Sequence, residues 1–127
     1  MFSVLILDDC PERGRAFLAR FPHARWVETA SEAIASLQSL AWDLVCLDHD
    51  LGGEHFVDSR QANTGAEVVR FIVRDRPPIS QIIVHSLNGP AAARMVADLD
   101  SAGYAATQVP FFWMRPDITV TINGETI

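Results

Sequence analysis

The segment FSVLILDD at residues 2–9 is a mostly apolar, strand-forming run that ends in two aspartates. Such a run is typical of a strand that is covered on both faces and opens into a loop at its carboxyl end. Two later segments have the same character, DLVCLDHD at 43–50 and ISQIIVHS at 79–86. Three buried strands with polar carboxyl ends indicate a parallel sheet.

Helix signals alternate with these strands along the chain. They are Pro11 in a first turn, capping boxes at 29–32 and 64–67, and Gly89-Pro90 before a helix that ends at Gly103. Further strands are predicted over 25–28 and 104–109, besides those over 2–7, 43–48 and 79–85. Alternating strands and helices predict an α/β fold, a doubly wound five-stranded parallel sheet with helices on both faces.

No fifth helix follows the last predicted strand. Instead, Asn123-Gly124 lies between short alternating segments at 118–122 and 125–127, which is a strong hairpin signal. We therefore expect a single domain in which residues 1–110 form the α/β unit and residues 111–127 form an extension with a β-hairpin in place of the last helix.

The composition limits the classes of partner. The chain has 127 residues, 49% of them hydrophobic, and a net charge of −6, which argues against extended binding to nucleic acid or to anionic membranes. No apolar run is long enough to span a bilayer, and the first residues lack a signal-peptide pattern, so we expect a cytoplasmic protein with reduced Cys10 and Cys46. All ten basic residues are arginines.

The polar ends of the predicted strands form the candidate site. Ligands of open parallel sheets bind outside the carboxyl ends of the strands, where the strand order reverses. If the order is 2-1-3-4-5, the first and third strands are neighbours and four carboxylates share one crevice. The side chains delivered there are Asp8, Asp9, Asp48, His49, Asp50, His85, Ser86 and Asn88.

This set of side chains favours a metal site. Carboxylates at close range raise one another's pKa unless a cation lies between them. Oxygen ligands without paired thiolates suit Mg²⁺ or Mn²⁺, and histidine nearby would also permit Fe²⁺ or Zn²⁺. We predict Mg²⁺ or Mn²⁺, bound by Asp8, Asp9, Asp48 and Asp50.

Several of these residues also have a purely structural interpretation. Asp9 would cap the first helix, His85 would be a core histidine bonded to backbone, and Thr64-Gly65 would only start a helix, although free amides there also bind anions. The triplet at 48–50 fits such an interpretation less well, because a buried strand that ends in three titratable residues has to solvate or coordinate them.

The arrangement resembles the receiver domain of two-component response regulators over about residues 2–110. That resemblance implies that Asp8 and Asp9 hold Mg²⁺, that Asp48 stands at the phosphoacceptor position, and that Ser86 contacts the phosphoryl group. Receivers also have a lysine before the proline that follows the last strand, where this chain has Val109 and contains no lysine at all. Loss of that positive charge argues against an ordinary phosphorelay.

A closer resemblance is to the cyclic-phosphate-processing receiver family, for which RNA repair is one proposed setting. The matching motifs are Leu7-Asp8-Asp9, Leu47-Asp48-His49-Asp50-Leu51-Gly52, Thr64-Gly65 and His85-Ser86-Leu87-Asn88. Relatives also carry an arginine soon after the acid pair. Arg13 is the nearest candidate for that arginine, somewhat displaced.

We therefore expect a metal-dependent phosphoesterase that opens or removes a cyclic or terminal phosphate on a nucleotide or RNA end. His85 and His49 are the candidate general acid and base, and Asp48 is either a nucleophile or a metal ligand. The predicted phosphate ligands are Ser86, Asn88, Thr64, Gly65 and Arg13.

Two alternatives remain open. One is a degenerate receiver without catalysis, a signalling or protein-interaction module that binds a partner through the aromatic segment 111–114 or forms a homodimer through an exposed hairpin edge. The other is a true phosphorelay in which Asp48 accepts phosphate. The sequence also leaves open whether the 53–63 loop lies over the site.

Overall fold

The computed structural model describes residues 2–127, and a five-stranded parallel sheet lies at its centre. The strand order is β2-β1-β3-β4-β5, with every neighbouring pair parallel, as predicted. In chain order the elements are β1 (Val4–Leu7), α1 (Pro11–Arg20), β2 (Arg25–Val27), α2 (Ala30–Ser39), β3 (Trp42–Leu47), α3 (Gly65–Asp75), β4 (Ile79–Val84), α4 (Gly89–Ser101) and β5 (Ala106–Gln108).

Four strands are one to three residues shorter than predicted, and β3 is shifted by one residue. The residues lost lie at the ends of the predicted strands, where the chain leaves the sheet and enters the loops. The helix starts are closer to prediction: Thr29 and Thr64 cap α2 and α3 by accepting hydrogen bonds from the backbone N–H groups of Glu32 and Glu67.

Side chains of the strands alternate between two hydrophobic cores. On β1, Leu5 and Leu7 pack with α2, α3 and α4, whereas Val4 and Ile6 pack on the other face with α1 and the C-terminal segment. Cys46 belongs to that second core, as expected for a packed thiol, and burial raises its pKa.

The C-terminal segment covers the face of the sheet beside α1. It contains a 3₁₀ turn at Phe112–Met114 and the predicted hairpin, formed by β6 (Thr121–Ile122) and β7 (Glu125–Thr126). Phe112 is fully buried, with its ring centroid 6.2 Å from that of Phe17 and 6.3 Å from that of Phe21. This segment therefore forms part of the second core.

The start of α3 lies unusually close to the carboxyl end of β3. A Cβ atom added to Gly65 would stand 1.9 Å from the carbonyl oxygen of Asp48, so only glycine fits there. The residue that the sequence offered as a phosphate ligand thus has a clear packing role. Within residues 2–127, no helix is long and apolar enough to cross a membrane.

Gly65→Ala is expected to lower the free energy of unfolding by about 1–3 kcal/mol or more, because the backbone of β3 or α3 must shift to admit the methyl group. Gly89→Ala is the matched control at the start of α4, since its added Cβ would meet no atom within 4 Å among the described residues, apart from its chain neighbours and its own helix backbone. Urea unfolding of both variants measures the difference, and equal stabilities would contradict the close approach.

Phe112→Ala is expected to cost about 3–5 kcal/mol, because it opens a cavity in the second core. Met114→Ala is the control, since Met114 is 65% exposed two residues further on, and it should change stability by less than about 0.5 kcal/mol. A single cooperative unfolding transition in each variant would indicate that residues 111–127 fold with the α/β unit. If Phe112→Ala loses only a small separate unfolding transition, residues 111–127 fold independently of the α/β unit.

Candidate functional site

Three side chains from neighbouring strands meet at the carboxyl edge of the sheet. Asp8 follows β1, Asp48 follows β3 and His85 follows β4, and one ligand atom from each lies within 4.8 Å of the other two. All three residues are buried. The strand order brings them together, because β1 and β4 both flank β3.

Asp8 is the most constrained of the three. Its Oδ1 accepts hydrogen bonds from the backbone N–H of Cys10 and from Nη2 of Arg13, each at 2.9 Å. Its Oδ2 accepts from Nε of Arg13 at 2.9 Å and lies 3.0 Å from Nε2 of His85. Burial opposes the charged form, but the bonds from His85 and Arg13 outweigh it and hold the pKa of Asp8 below its usual value.

Arg13 lies at the centre of the acidic residues. Its Nη2 is 2.9 Å from Oδ1 of Asp8, 3.3 Å from Oδ2 of Asp48 and 3.8 Å from Oδ1 of Asp9. On its other side, Cζ lies 5.3 Å from the centre of the Trp113 ring. Burial disfavours the guanidinium charge, but the bonds to Asp8 prevail and raise the pKa of Arg13. One tethered cation thus neutralises part of the carboxylate cluster.

Asp48 lies deeper than an ordinary surface carboxylate and is 5% exposed. Burial is the main reason that its pKa rises to about 6; the charge of Asp8 adds to this rise, while His85 and Arg13 oppose it. Its Oδ1 accepts a hydrogen bond from the backbone N–H of His49 at 2.9 Å. Asp48 is therefore a carboxylate that changes charge close to neutral pH.

His85 has one polar partner and two aromatic neighbours. Because a carboxylate accepts hydrogen bonds, the contact with Asp8 favours a proton on Nε2. Nδ1 is buried and has no hydrogen-bond partner in the described part of the chain. The ring centroids of Phe17 and Trp113 lie 4.8 Å and 5.7 Å from that of the imidazole. The ring is thus held in place without a second polar contact.

His49 and Asp50 form a separate group that organises the following loop. His49 is fully buried, with Nδ1 2.6 Å from Oδ1 of Asp50 and Nε2 2.8 Å from Oγ of Ser59. Asp50 also accepts hydrogen bonds from the backbone N–H groups of Phe56 and Val57. Although burial opposes the charge, the bond from His49 and these further bonds lower the pKa of Asp50. His49 does not line the cleft at this edge of the sheet.

The loop after β3 lies against the site. Asp9 accepts a hydrogen bond from the backbone N–H of Gly53 at 2.6 Å, so it holds the loop and does not cap α1. The cap residue of α1 is Cys10, whose side chain makes no capping bond. With Asp9 and Asp50 both accepting from its backbone, the 51–58 segment forms one wall of the site.

The predicted phosphate ligands separate into two groups. Ser86 is buried and lines the cleft, and its Oγ accepts a hydrogen bond from the backbone N–H of Asn88. Asn88 caps α4 and donates from Nδ2 to Asp50 at 3.2 Å. Thr64 is fully buried and caps α3, and Gly65 is packed against β3, so neither lines the cleft.

A cleft of about 270 Å³ opens over these residues. Its walls include Trp113, Leu87, Glu54 and His55, which sequence reasoning did not select. The aromatic segment around Trp113 was visible in the sequence, but its composition suits a core as well as a cleft. The full lining is Asp9, Cys10, Arg13, Asp48, Asp50, Gly53, Glu54, His55, His85, Ser86, Leu87 and Trp113.

The donor set at the base of the cleft fits a hard divalent cation. Carboxylate oxygens of Asp8 and Asp48 and one imidazole lie close enough to share an ion, and Asp9 stands beside them. Paired thiolates, which would favour a softer metal, are absent from this group in residues 2–127. The place between the carboxylates is held by Arg13.

The fold is similar to that of response-regulator receivers. The response regulator TrrA from Thermotoga maritima, in complex with Mg²⁺-BeF, matches with a TM-score of 0.62 at 21% identity, over 92% of each chain. A response regulator from Colwellia psychrerythraea matches with a TM-score of 0.61 at 14% identity, over 89% of this chain and 88% of that one. The receiver domain of a Francisella response regulator gives 0.60 at 14% identity, over 91% and 89%.

Among the curated proteins, none matches the chain. The sequence model for the cyclic-phosphate processing receiver domain matches residues 3–101, which include all the carboxylates and histidines of the edge described above. That match covers well over half of the sequence. The chain therefore belongs to the family of cyclic-phosphate processing receiver domains.

Proposed function

We propose that this protein is a phosphoesterase that opens or removes a cyclic or terminal phosphate on a nucleotide or RNA end, with a divalent cation as cofactor. The observation that carries the proposal is the buried Asp8–His85 pair beside Asp48 at the base of an open cleft. Membership of the cyclic-phosphate processing family supports this choice of substrate.

His85 is the proposed proton-transfer residue. The carboxylate of Asp8 orients the ring and accepts a hydrogen bond from Nε2, and in this proposal His85 gives a proton to the leaving oxygen. His49, the other candidate acid or base, has both ring nitrogens already bonded. In this proposal it positions Asp50 and, through Asp50, the loop that closes one side of the cleft.

Asp8, Asp48 and Asp9 are the proposed ligands of Mg²⁺ or Mn²⁺, while Asp50 keeps its bonds to the loop. A bound divalent cation polarises phosphoryl oxygens and lowers the pKa of an attacking water. Asp48 is ionised at neutral pH, since its pKa of about 6 lies below 7, and it is therefore ready to bind a cation.

The phosphate itself is bound, in this proposal, by Ser86 and Arg13. The Ser86 hydroxyl accepts from the Asn88 backbone N–H, which leaves its own proton free to donate. Arg13 lines the cleft and carries N–H groups beyond those directed at Asp8. Asn88 supports the site indirectly, because it caps α4 and donates to Asp50.

A degenerate receiver without catalysis is the second candidate. It is favoured by the Arg13 contacts, which already compensate the acidic cluster, and by the absence of lysine from the sequence. Phe111 and Met114 are 48% and 65% exposed on the segment that follows β5, and they would form the contact surface for a partner protein.

Hydrolysis of a 2′,3′-cyclic nucleotide in the presence of Mn²⁺ or Mg²⁺ separates the two candidates. His85→Gln is expected to lower kcat by about 10²–10⁴-fold, because it removes the proton-transfer group, and Asp48→Asn should lose activity as the cation is lost. His23→Gln, an exposed histidine change before β2, is the control and should retain full activity. Wild-type rates in the two site variants, with folding confirmed by thermal melts, would defeat the phosphoesterase proposal.

Asp48→Asn is also expected to stabilise the protein at pH 7. In the folded state Asp48 takes up its proton near pH 6, whereas an unfolded aspartate does so near 3.8, so the ionised side chain disfavours folding at neutral pH. The gain should be roughly 1–3 kcal/mol at pH 7. It should shrink as the pH falls from about 6 towards 4, where wild-type Asp48 is protonated.

Urea unfolding of wild type and Asp48→Asn between pH 4 and pH 8 measures this gap. Asp100→Asn, an exposed change on α4, is the matched control and should show no such pH-dependent gap. A destabilised Asp48→Asn at pH 7, or a gap that widens on acidification, is incompatible with a raised pKa at Asp48.

A further inference from the structure

We propose that Arg13 is an internal counter-ion that a divalent cation must displace, so that binding of the cation and release of Arg13 are a single exchange. This inference rests on the proposed function, because it concerns the same carboxylates. It goes further because it states that Arg13 controls how tightly the divalent cation binds.

The first argument is geometric. Nη2 of Arg13 lies within 3.8 Å of three carboxylates, those of Asp8, Asp9 and Asp48. The proposed ligands of the cation are the same carboxylates, which would have to approach Mg²⁺ to about 2.0–2.1 Å. A nitrogen already in contact with them and an ion bound to the same oxygens compete for one position.

The second argument concerns the acceptor capacity of Asp8. A carboxylate has about four lone-pair sites, and all four of those on Asp8 have partners: two from Arg13, one from the Cys10 backbone and one at Nε2 of His85. The Cys10 amide is fixed by the turn into α1, and His85 is fixed by β4. The Arg13 side chain is the partner that is free to leave.

The third argument is electrostatic. Asp8, Asp9 and Asp48 carry up to three negative charges when ionised, and Arg13 supplies one positive charge from a distance of 2.9–3.8 Å. The side chain of Asp8 is fully buried and that of Asp48 is 7% exposed, so solvent screens these interactions weakly. A divalent cation carries twice the charge of Arg13, so these carboxylates attract it more strongly, and two cations that share the same oxygens repel each other at short range.

The displaced Arg13 guanidinium can stay in contact with the Trp113 ring. The Arg13 side chain is 25% exposed and lies at the cleft, and its Cζ already stands 5.3 Å from the Trp113 ring. Stacking on that ring preserves a favourable contact when the carboxylate bonds are lost. Trp113 lies outside the residues matched by the family model, so this contact is supplied by the C-terminal segment.

Calorimetric titration of the metal-free protein with Mn²⁺ alone tests the exchange. Arg13→Gln is expected to bind Mn²⁺ about tenfold or more tightly than wild type, because the cation no longer has to break the Arg13 bonds. Arg15→Gln removes the same charge from an exposed position on the same helix and should bind as wild type does. Equal affinities in the two variants, or weaker binding by Arg13→Gln, would overturn the proposal.

Thermal stability supplies a second readout. Without metal, Arg13→Gln should melt well below Arg15→Gln, since three carboxylates are left facing one another; saturating Mn²⁺ should close most of that difference. A difference in melting temperature that Mn²⁺ leaves unchanged would contradict the exchange. If Arg13→Gln does not fold, Arg13→Lys is the second variant, because lysine keeps the charge but cannot make the bidentate contact. An Mn²⁺ affinity of Arg13→Lys no higher than that of wild type would count against the proposal.

These measurements use no substrate, so they separate the exchange from the phosphoesterase proposal. If Arg13→Gln binds Mn²⁺ more tightly than wild type but the protein does not hydrolyse the cyclic nucleotide, only the phosphoesterase proposal is disproved. If the protein hydrolyses the cyclic nucleotide but Arg13→Gln and Arg15→Gln bind Mn²⁺ equally well, only the proposed role of Arg13 as a counter-ion is disproved.

Discussion

The structure of the site depends on one fully buried carboxylate, that of Asp8. A buried charge costs several kcal/mol unless it is paired and hydrogen-bonded, and removing one partner of such a pair leaves most of that cost uncompensated. The Asp8 carboxylate has hydrogen-bond partners in the backbone N–H of Cys10, the guanidinium of Arg13 and the ring of His85. The hydrophobic cores hold α1 and β4 in position, and from there Arg13 and His85 contact this carboxylate at the edge of the sheet.

The positive charge of the site comes from Arg13, on the first helix. The chain lacks the lysine that receivers carry after the last strand, and Val109, which stands at that place, packs with the second hydrophobic core. Arg13 approaches instead from the first turns of α1. A charge anchored beside β1 is in direct contact with Asp8 and Asp9. The aromatic segment and hairpin then occupy the face beside α1.

Much of this architecture was predictable from local sequence patterns. Buried strands with polar ends, two capping boxes and the Asn123-Gly124 turn each specify structure over a few residues, and the observed elements follow them. The convergence of Asp8, Asp48 and His85 follows from strand order, which is a rule about topology.

The side-chain partners within the site were not predictable in the same way. His85 reaches Asp8 across 77 positions, and Asn88 reaches Asp50 across 38. His49 and Asp50 follow a strand end, where the alternation of faces no longer determines which side chain turns inward. Trp113 belongs to an aromatic run whose composition suits a core and a cleft wall equally. Such placements depend on the packed molecule and leave no periodic signal in the sequence.

The short sequence separation between Asp8 and Arg13 has a consequence for folding. These partners are only five positions apart, whereas Asp48 is 35 positions from Arg13 and His85 is 77 positions from Asp8. Closing a short loop costs little chain entropy and is fast, so the β1–α1 segment can compensate its own carboxylate before the distant strands dock. β3 and β4 then add Asp48 and His85 to a site in which the Asp8 carboxylate is already paired with Arg13.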